Sequence, residues 1–193
     1  MMRTWLTGVL TVVLPFLAAG CGHMPMTSMI QLARVDFQTS DPAQLRAAVK
    51  LPVALRPLPY GIALRIAVTV GRKPVEQRDF LLREVALPAE LAREAGTDGH
   101  IFAYRLEDAE ISRLTAFRTE LLAKRREGSG GGITISVVPR ACKVSELAEG
   151  PILFTTYLRT AETIDYVALE RDVDLKSLLP GRDIVAEIPL CNS

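Results

Sequence analysis

Three cysteines, two histidines and one dense acidic stretch are the side chains of this 193-residue chain best suited to chemistry. Cys21 follows an apolar run and the small residues Ala18, Ala19 and Gly20, a place where a thiol can take an acyl group. Cys142 and Cys191 lie far apart and lack the close spacing of zinc ligands, so they read as disulfide partners or as two buried free thiols. His23 stands just behind Cys21, and His100 opens an expected strand. Neither has a second histidine nearby, and no G-x-S-x-G offers a nucleophile on a sharp turn, so neither a histidine metal site nor a Ser–His–Asp triad is expected. Asp165, Glu170, Asp172 and Asp174 carry oxygen ligands of the kind calcium takes, yet the D-x-[DN]-x-[DN]-G pattern is missing and Arg171 interrupts them. A solvated strand end and a helix cap account for them better. Gly128-Ser129-Gly130-Gly131-Gly132 follows an expected helix and opens an expected strand, the reverse of a phosphate loop. No catalytic, cofactor-binding or metal-ligating residue is therefore assigned, and nothing selects a carboxylate pair for hydrolysis.

The N-terminus is ordered like an export signal. Arg3 and the terminal amine make a basic start, and Trp5 to Leu17 is an apolar core too short to span a bilayer comfortably. Leu17-Ala18-Ala19-Gly20-Cys21 resembles the bacterial lipobox, with its leucine one residue earlier than in the usual pattern. The resemblance implies that residues 1–20 are a lipoprotein signal peptide and that Cys21 becomes the acylated first residue. An ordinary signal peptide cut near Ala19 and an uncleaved anchor are the competing readings. Two acyl chains plus an amide-linked third hold a protein on a membrane far more firmly than one chain. Gly22 is not the aspartate that favours inner-membrane retention in enteric bacteria, so the resemblance implies the periplasmic face of the outer membrane. That compartment permits a Cys142–Cys191 bridge, which would tie the C-terminus to the domain.

An apolar fraction of 49%, a charged fraction of 23% and a mean hydropathy of +0.21 exclude a disordered chain. Only one apolar run approaches spanning length, which excludes a polytopic membrane protein. Arg3 is the sole charged side chain in residues 1–20, so its removal turns 23 basic against 22 acidic residues into formal neutrality. No one-signed field then draws nucleic acid to the protein.

The elements that must position these residues follow from periodicity. Residues 21–40 read as a tether that becomes ordered from Met29, and residues 41–193 as one β-rich domain. Leu45 to Leu51 alternates as a strand, and Pro52, Pro57 and Pro59 punctuate a connection to Tyr60-Gly61. Ile62 to Val70 is the clearest strand, followed by a turn at Gly71–Pro74 and strands over Val75–Leu87 and His100–Leu106. The period then switches. Asp108 reads as an N-cap, Ile111, Leu114, Phe117 and Leu121 recur at helical spacing, Lys124, Arg125 and Arg126 suit the last turn, and Gly128 ends the helix. Strands resume at Ile133–Val137, Ile152–Arg159 and Ile164–Glu170. A short helix capped by Asp174 follows, stopped by Pro180-Gly181, with a last strand over Ile184–Ile188. About eight short strands and one long helix imply a mainly β fold: an antiparallel β-sandwich or partly closed barrel with one inserted amphipathic α-helix.

Leu153-Phe154-Thr155-Thr156-Tyr157-Leu158-Arg159-Thr160, with Arg171-Asp172-Val173-Asp174-Leu175, resembles a stretch of uncharacterised proteobacterial lipoproteins of similar length. That resemblance implies no activity, ligand or site. The expected role is a lipid-anchored envelope protein, attached to the membrane through Cys21, that binds or scaffolds an envelope partner. An accessory or carrier lipoprotein of envelope transport with an apolar ligand is the alternative, and an unidentified hydrolase comes third. A cavity of several hundred Å³ would favour the carrier.

Overall fold

The structure is a computed structural model that describes residues 25–33, 35–70, 76–127, 131–178 and 181–191. The signal segment, Cys21, His23, the Gly71–Pro74 turn, Gly128–Gly130 and Pro180 lie outside the described residues, as do the side chains of Lys124, Arg125 and Arg126.

Among the described residues the strands are β1 (Arg46–Pro52), β2 (Leu55–Val70), β3 (Glu76–Val85), β4 (Gly99–Leu106), β5 (Gly131–Lys143), β6 (Leu153–Arg159) and β7 (Val167–Asp174). They form one antiparallel sheet in the order β5-β2-β3-β4-β1-β6-β7, curled into a nearly closed barrel. The fold is therefore mainly β, as the alternation implied. Period-two patterning places Ile62, Leu64 and Ile66 of β2 and Phe80 and Leu82 of β3 in the interior, while Leu81 faces out. A smaller cluster lies on the other face, where Leu91 of the one-turn helix α2 (Ala89–Ala92) covers Ala48, Ile101, Tyr157 and Ala168. Both faces of β1 are thus covered, which is why Ala47, Ala48 and Val49 are all fully buried.

Three expectations change. Pro52 to Gly61 is not all connection, because β2 begins at Leu55 and pairs with β5 across a register shift between Pro57 and Ile62. Pairing of β2 with β3 begins only at Ala63, so the prolines sit at the sheet's margin, where a missing N–H is tolerated. Gly61 is required there, since a Cβ would fall 2.6 Å from the Arg140 carbonyl oxygen. The strand expected over Ile164–Glu170 starts later, at Val167. Thr160 and Thr163 close a turn by mutual side-chain hydrogen bonds, and Ile164 leaves it at φ 63°. Finally, Ile184–Ile188 is not a strand: Asp183 accepts from the Ala186 N–H at 3.1 Å and caps a one-turn helix over Ile184–Glu187. Asp174 does cap its short helix, α4 (Leu175–Leu178), accepting from the Lys176 N–H at 3.1 Å. The Ile184–Glu187 helix is α5.

The long helix α3 (Asp108–Glu127) fills one end of the barrel. Leu114 and Phe117 are fully buried, Leu121 is nearly so, and Ile111 packs against the same cluster. Phe117 meets Phe80 of β3 with ring centroids 5.9 Å apart. Charged side chains seal the edge of this contact. Arg78 lies 4.5 Å over the Phe117 ring and donates to Glu120 at 2.7 Å, while Arg113 lies over Phe80 and pairs with Glu110. On the solvent side Ser112, Thr115 and Thr119 return their hydroxyls to carbonyls one turn back.

Arg118 ties the N-terminal segment to this helix. It is buried, stacks 4.6 Å from the Phe37 ring and donates to the Ser40 carbonyl. Burial lowers its pKa, and Glu162, Asp36 and Asp41 oppose that shift. Ahead of that segment α1 (Met26–Leu32) rests against β7.

Phe117→Ala should destabilise the domain by about 3–5 kcal/mol, read as a lowered melting temperature. An unchanged melting temperature would contradict the packing described here.

Candidate functional site

The two ends of the barrel differ. At the end away from α3 the chain's last residues cross the opening as a strap. The Cys142 and Cys191 sulfurs are 2.16 Å apart, a disulfide distance, with Cα atoms 4.8 Å apart. Backbone bonds reinforce this join: the Lys143 N–H donates to the Pro189 carbonyl at 2.7 Å, and the Cys191 N–H to the Lys143 carbonyl at 3.0 Å. The Lys143 ammonium donates to the Val185 carbonyl at 2.9 Å, which holds α5 in place. Ile184 of α5 and Ile188 just after it then turn into the core.

Beneath the strap lies a hollow of about 300 Å³ lined mostly by apolar side chains, among them Leu55, Leu58, Ile152, Phe154, Ile184 and Ile188. Glu187, which also lines it, is neutralised by Arg182 at 2.8 Å. A second hollow, of about 370 Å³, adjoins it at Leu58 and lies between the irregular part of β2 and the β3–β4 pair. Tyr60, Leu82, Glu84 and Tyr104 line it. Tyr60 is exposed and sits at φ 53°, a region in which side chains other than glycine are strained. Tyr104 is 3% exposed, and among the described residues its hydroxyl has no hydrogen-bond partner. An unpartnered buried polar group costs about 1–3 kcal/mol. Glu84 stands directly across from Tyr104 in the β3–β4 register, so the two share a face. Burial, and then the charge of Glu84, raise the Tyr104 pKa well above the ordinary phenol value, so the group remains a donor.

A third hollow, a groove of about 570 Å³, lies at the seam near the α3 end. Ile133 and Ile135 of β5 form one side, Leu158 of β6 and Leu169 of β7 the other, and Met29 and Leu32 of α1 reach over it.

Of the residues singled out in the sequence, Cys142 and Cys191 are brought together, and Cys21 and His23 lie outside the described residues. His100 is exposed on β4 opposite Leu51. The acidic stretch is engaged locally. Asp172 bonds with Thr155, Glu170 accepts from Thr156, and Asp174 accepts from the Ile152 N–H at 2.9 Å. Among the described residues no three His, Cys, Asp or Glu side chains gather in a way that could hold a metal ion. Sequence reasoning missed the Tyr104 hollow. Its one visible sign was a phenol in the otherwise apolar row Phe102, Tyr104 and Leu106.

No family model matches this chain, and no similar curated protein or solved structure was found.

Removing the strap's covalent tie with Cys191→Ser should lower stability by up to about 4 kcal/mol and loosen α5. Melting curves under non-reducing conditions and peptide mass mapping check this. Two freely alkylated thiols in protein purified without reductant would refute the bridge.

Proposed function

We propose that this chain is a lipid-anchored protein of the bacterial envelope whose β domain works by binding, without a catalytic step or a cofactor. The observation that carries the reading is the apolar hollow of about 300 Å³ under the disulfide-tied strap, at the lower end of the volumes that small-ligand sites occupy. It favours a carrier or accessory role with an apolar ligand over a pure scaffold. A scaffolding role toward an envelope partner is supported by the seam groove and by the exposed Met29 and Ile30 of α1.

Attachment to the membrane rests on the lipobox resemblance at Cys21. Only residues 22–24 separate that thiol from Pro25, the first described residue, so an acylated Cys21 keeps the start of α1 within roughly 15 Å of the headgroups. Gly22 supports the periplasmic face of the outer membrane as the address. Among the described residues no helix is long and apolar enough to cross a membrane. Formal neutrality of the processed chain gives nucleic acid no electrostatic hold.

Growth with an alkyne-bearing fatty acid should label the wild-type chain and leave Cys21→Ser unlabelled, with the variant either soluble or still carrying residues 1–20. Equal labelling of the two would end the lipoprotein reading.

A further inference from the structure

Folded proteins leave few buried polar groups unpartnered, and those that remain call for an explanation. The Tyr104 hydroxyl is such a group among the described residues, and Tyr104 lines the hollow between the irregular part of β2 and the β3–β4 pair. Across the ladder from it, exposed Glu84 makes no ion pair among the described residues. Arg83, the cation that also lines this hollow, is already paired with Glu107 at 2.7 Å. Among the described residues the polar end of the hollow therefore offers one phenol donor and one carboxylate acceptor with no free cation, and Arg140 is the cation that lines the apolar hollow.

Those two groups select a head chemistry. A hydroxyl accepts from the phenol and donates to the carboxylate at once. A carboxylate head has no proton to donate and meets Glu84 as a like charge. An ammonium head donates to Glu84 but has no lone pair for the Tyr104 proton. Leu58 lines both the apolar hollow and the polar one, so a chain attached to that head reaches the space beneath the strap by passing Leu58. At about 30 Å³ per carbon, comparable to a water's share of the liquid, the apolar hollow of about 300 Å³ holds about ten carbons.

We infer that this end of the barrel binds a neutral, hydroxyl-headed single-chain amphiphile, its head between Tyr104 and Glu84 and its chain past Leu58 into the hollow under α5. This rests on the binding reading above and names the ligand class.

The test uses the full-length chain in isolated cell envelopes and three photoreactive probes, diazirine-bearing dodecanol, dodecanoate and dodecylamine, with adducts mapped by mass spectrometry. Dodecanol should label peptides covering residues 51–58 or 184–188, and should do so about tenfold more than either charged probe. Tyr104→Phe keeps the ring and removes the hydroxyl; it should cut that labelling about tenfold, the factor that corresponds to one good hydrogen bond. Leu58→Trp, at a half-buried position, should block the route and abolish labelling beneath the strap. Thermal melting of both variants confirms that they fold. Undiminished labelling of Tyr104→Phe, preference for a charged probe, or adducts confined to α1 would each overturn the inference. Because Cys21 acylation is read separately in the same envelopes, loss of the anchor and loss of the ligand site are distinguishable.

Discussion

The contact between Phe117 and Phe80 is the constraint from which the rest of this architecture follows. A small curled sheet can fill its middle with its own side chains, but its open ends must be covered by other elements. At one end that element is α3. Leu114, Phe117 and Leu121 repeat on one stripe of the helix and reach β2 and β3 together, so a single element completes the packing. Arg78 and Arg113 lie over the two rings and bond outward to Glu120 and Glu110, which places polar groups at the boundary with water and apolar groups inside it.

The other end is closed by different means. The strap brings Ile184 and Ile188 to the opening but leaves hollows beside them. A hollow of that size forfeits dispersion contacts that a filled core would make, and Tyr104 adds an unpartnered hydroxyl. Stability alone explains neither. A covalent tie is also an unusual way to hold a segment that could have been packed down by larger side chains. One end is packed by a helix and the other is crossed by a strap over open hollows, within a single sheet.

Much of the fold was legible in the sequence because it follows from periodicity. Ile62 to Val68, Phe80 with Leu82, and the α3 stripe are patterns of two and of three or four, and each landed in the core. The Cys142–Cys191 pair was legible by elimination, since setting Cys21 aside on its lipobox resemblance leaves one possible pairing. The misreadings share a cause: local chemistry was outweighed by what lay across space. Prolines in β2 read as a break, but with β3 absent on that side they remove no ladder bond. Ile184, Ala186 and Ile188 alternate like a strand, but the Asp183 cap turns them into a helix that puts Ile184 and Ile188 into the core. The Tyr104 site was illegible for the same reason. Its partners come from β2, β3 and β4, and the part of β2 involved had been read as a connection.

The strand count itself has a consequence. In an antiparallel sheet neighbours alternate in direction, so the first and seventh strands of the order point the same way. Here those are β5 and β7. Closing the ring directly would require one parallel junction in a ladder that is otherwise antiparallel, with slanted bonds where every other pair has straight ones. Single-chain bacterial outer-membrane barrels avoid this mismatch by using even numbers of strands. In this chain the parity mismatch falls at the seam, where α1 lies against β7 and reaches over a groove in place of an eighth strand. Odd parity thus turns what would be a sealed cylinder into one with a built-in slit, and the slit lies beside the N-terminal helix.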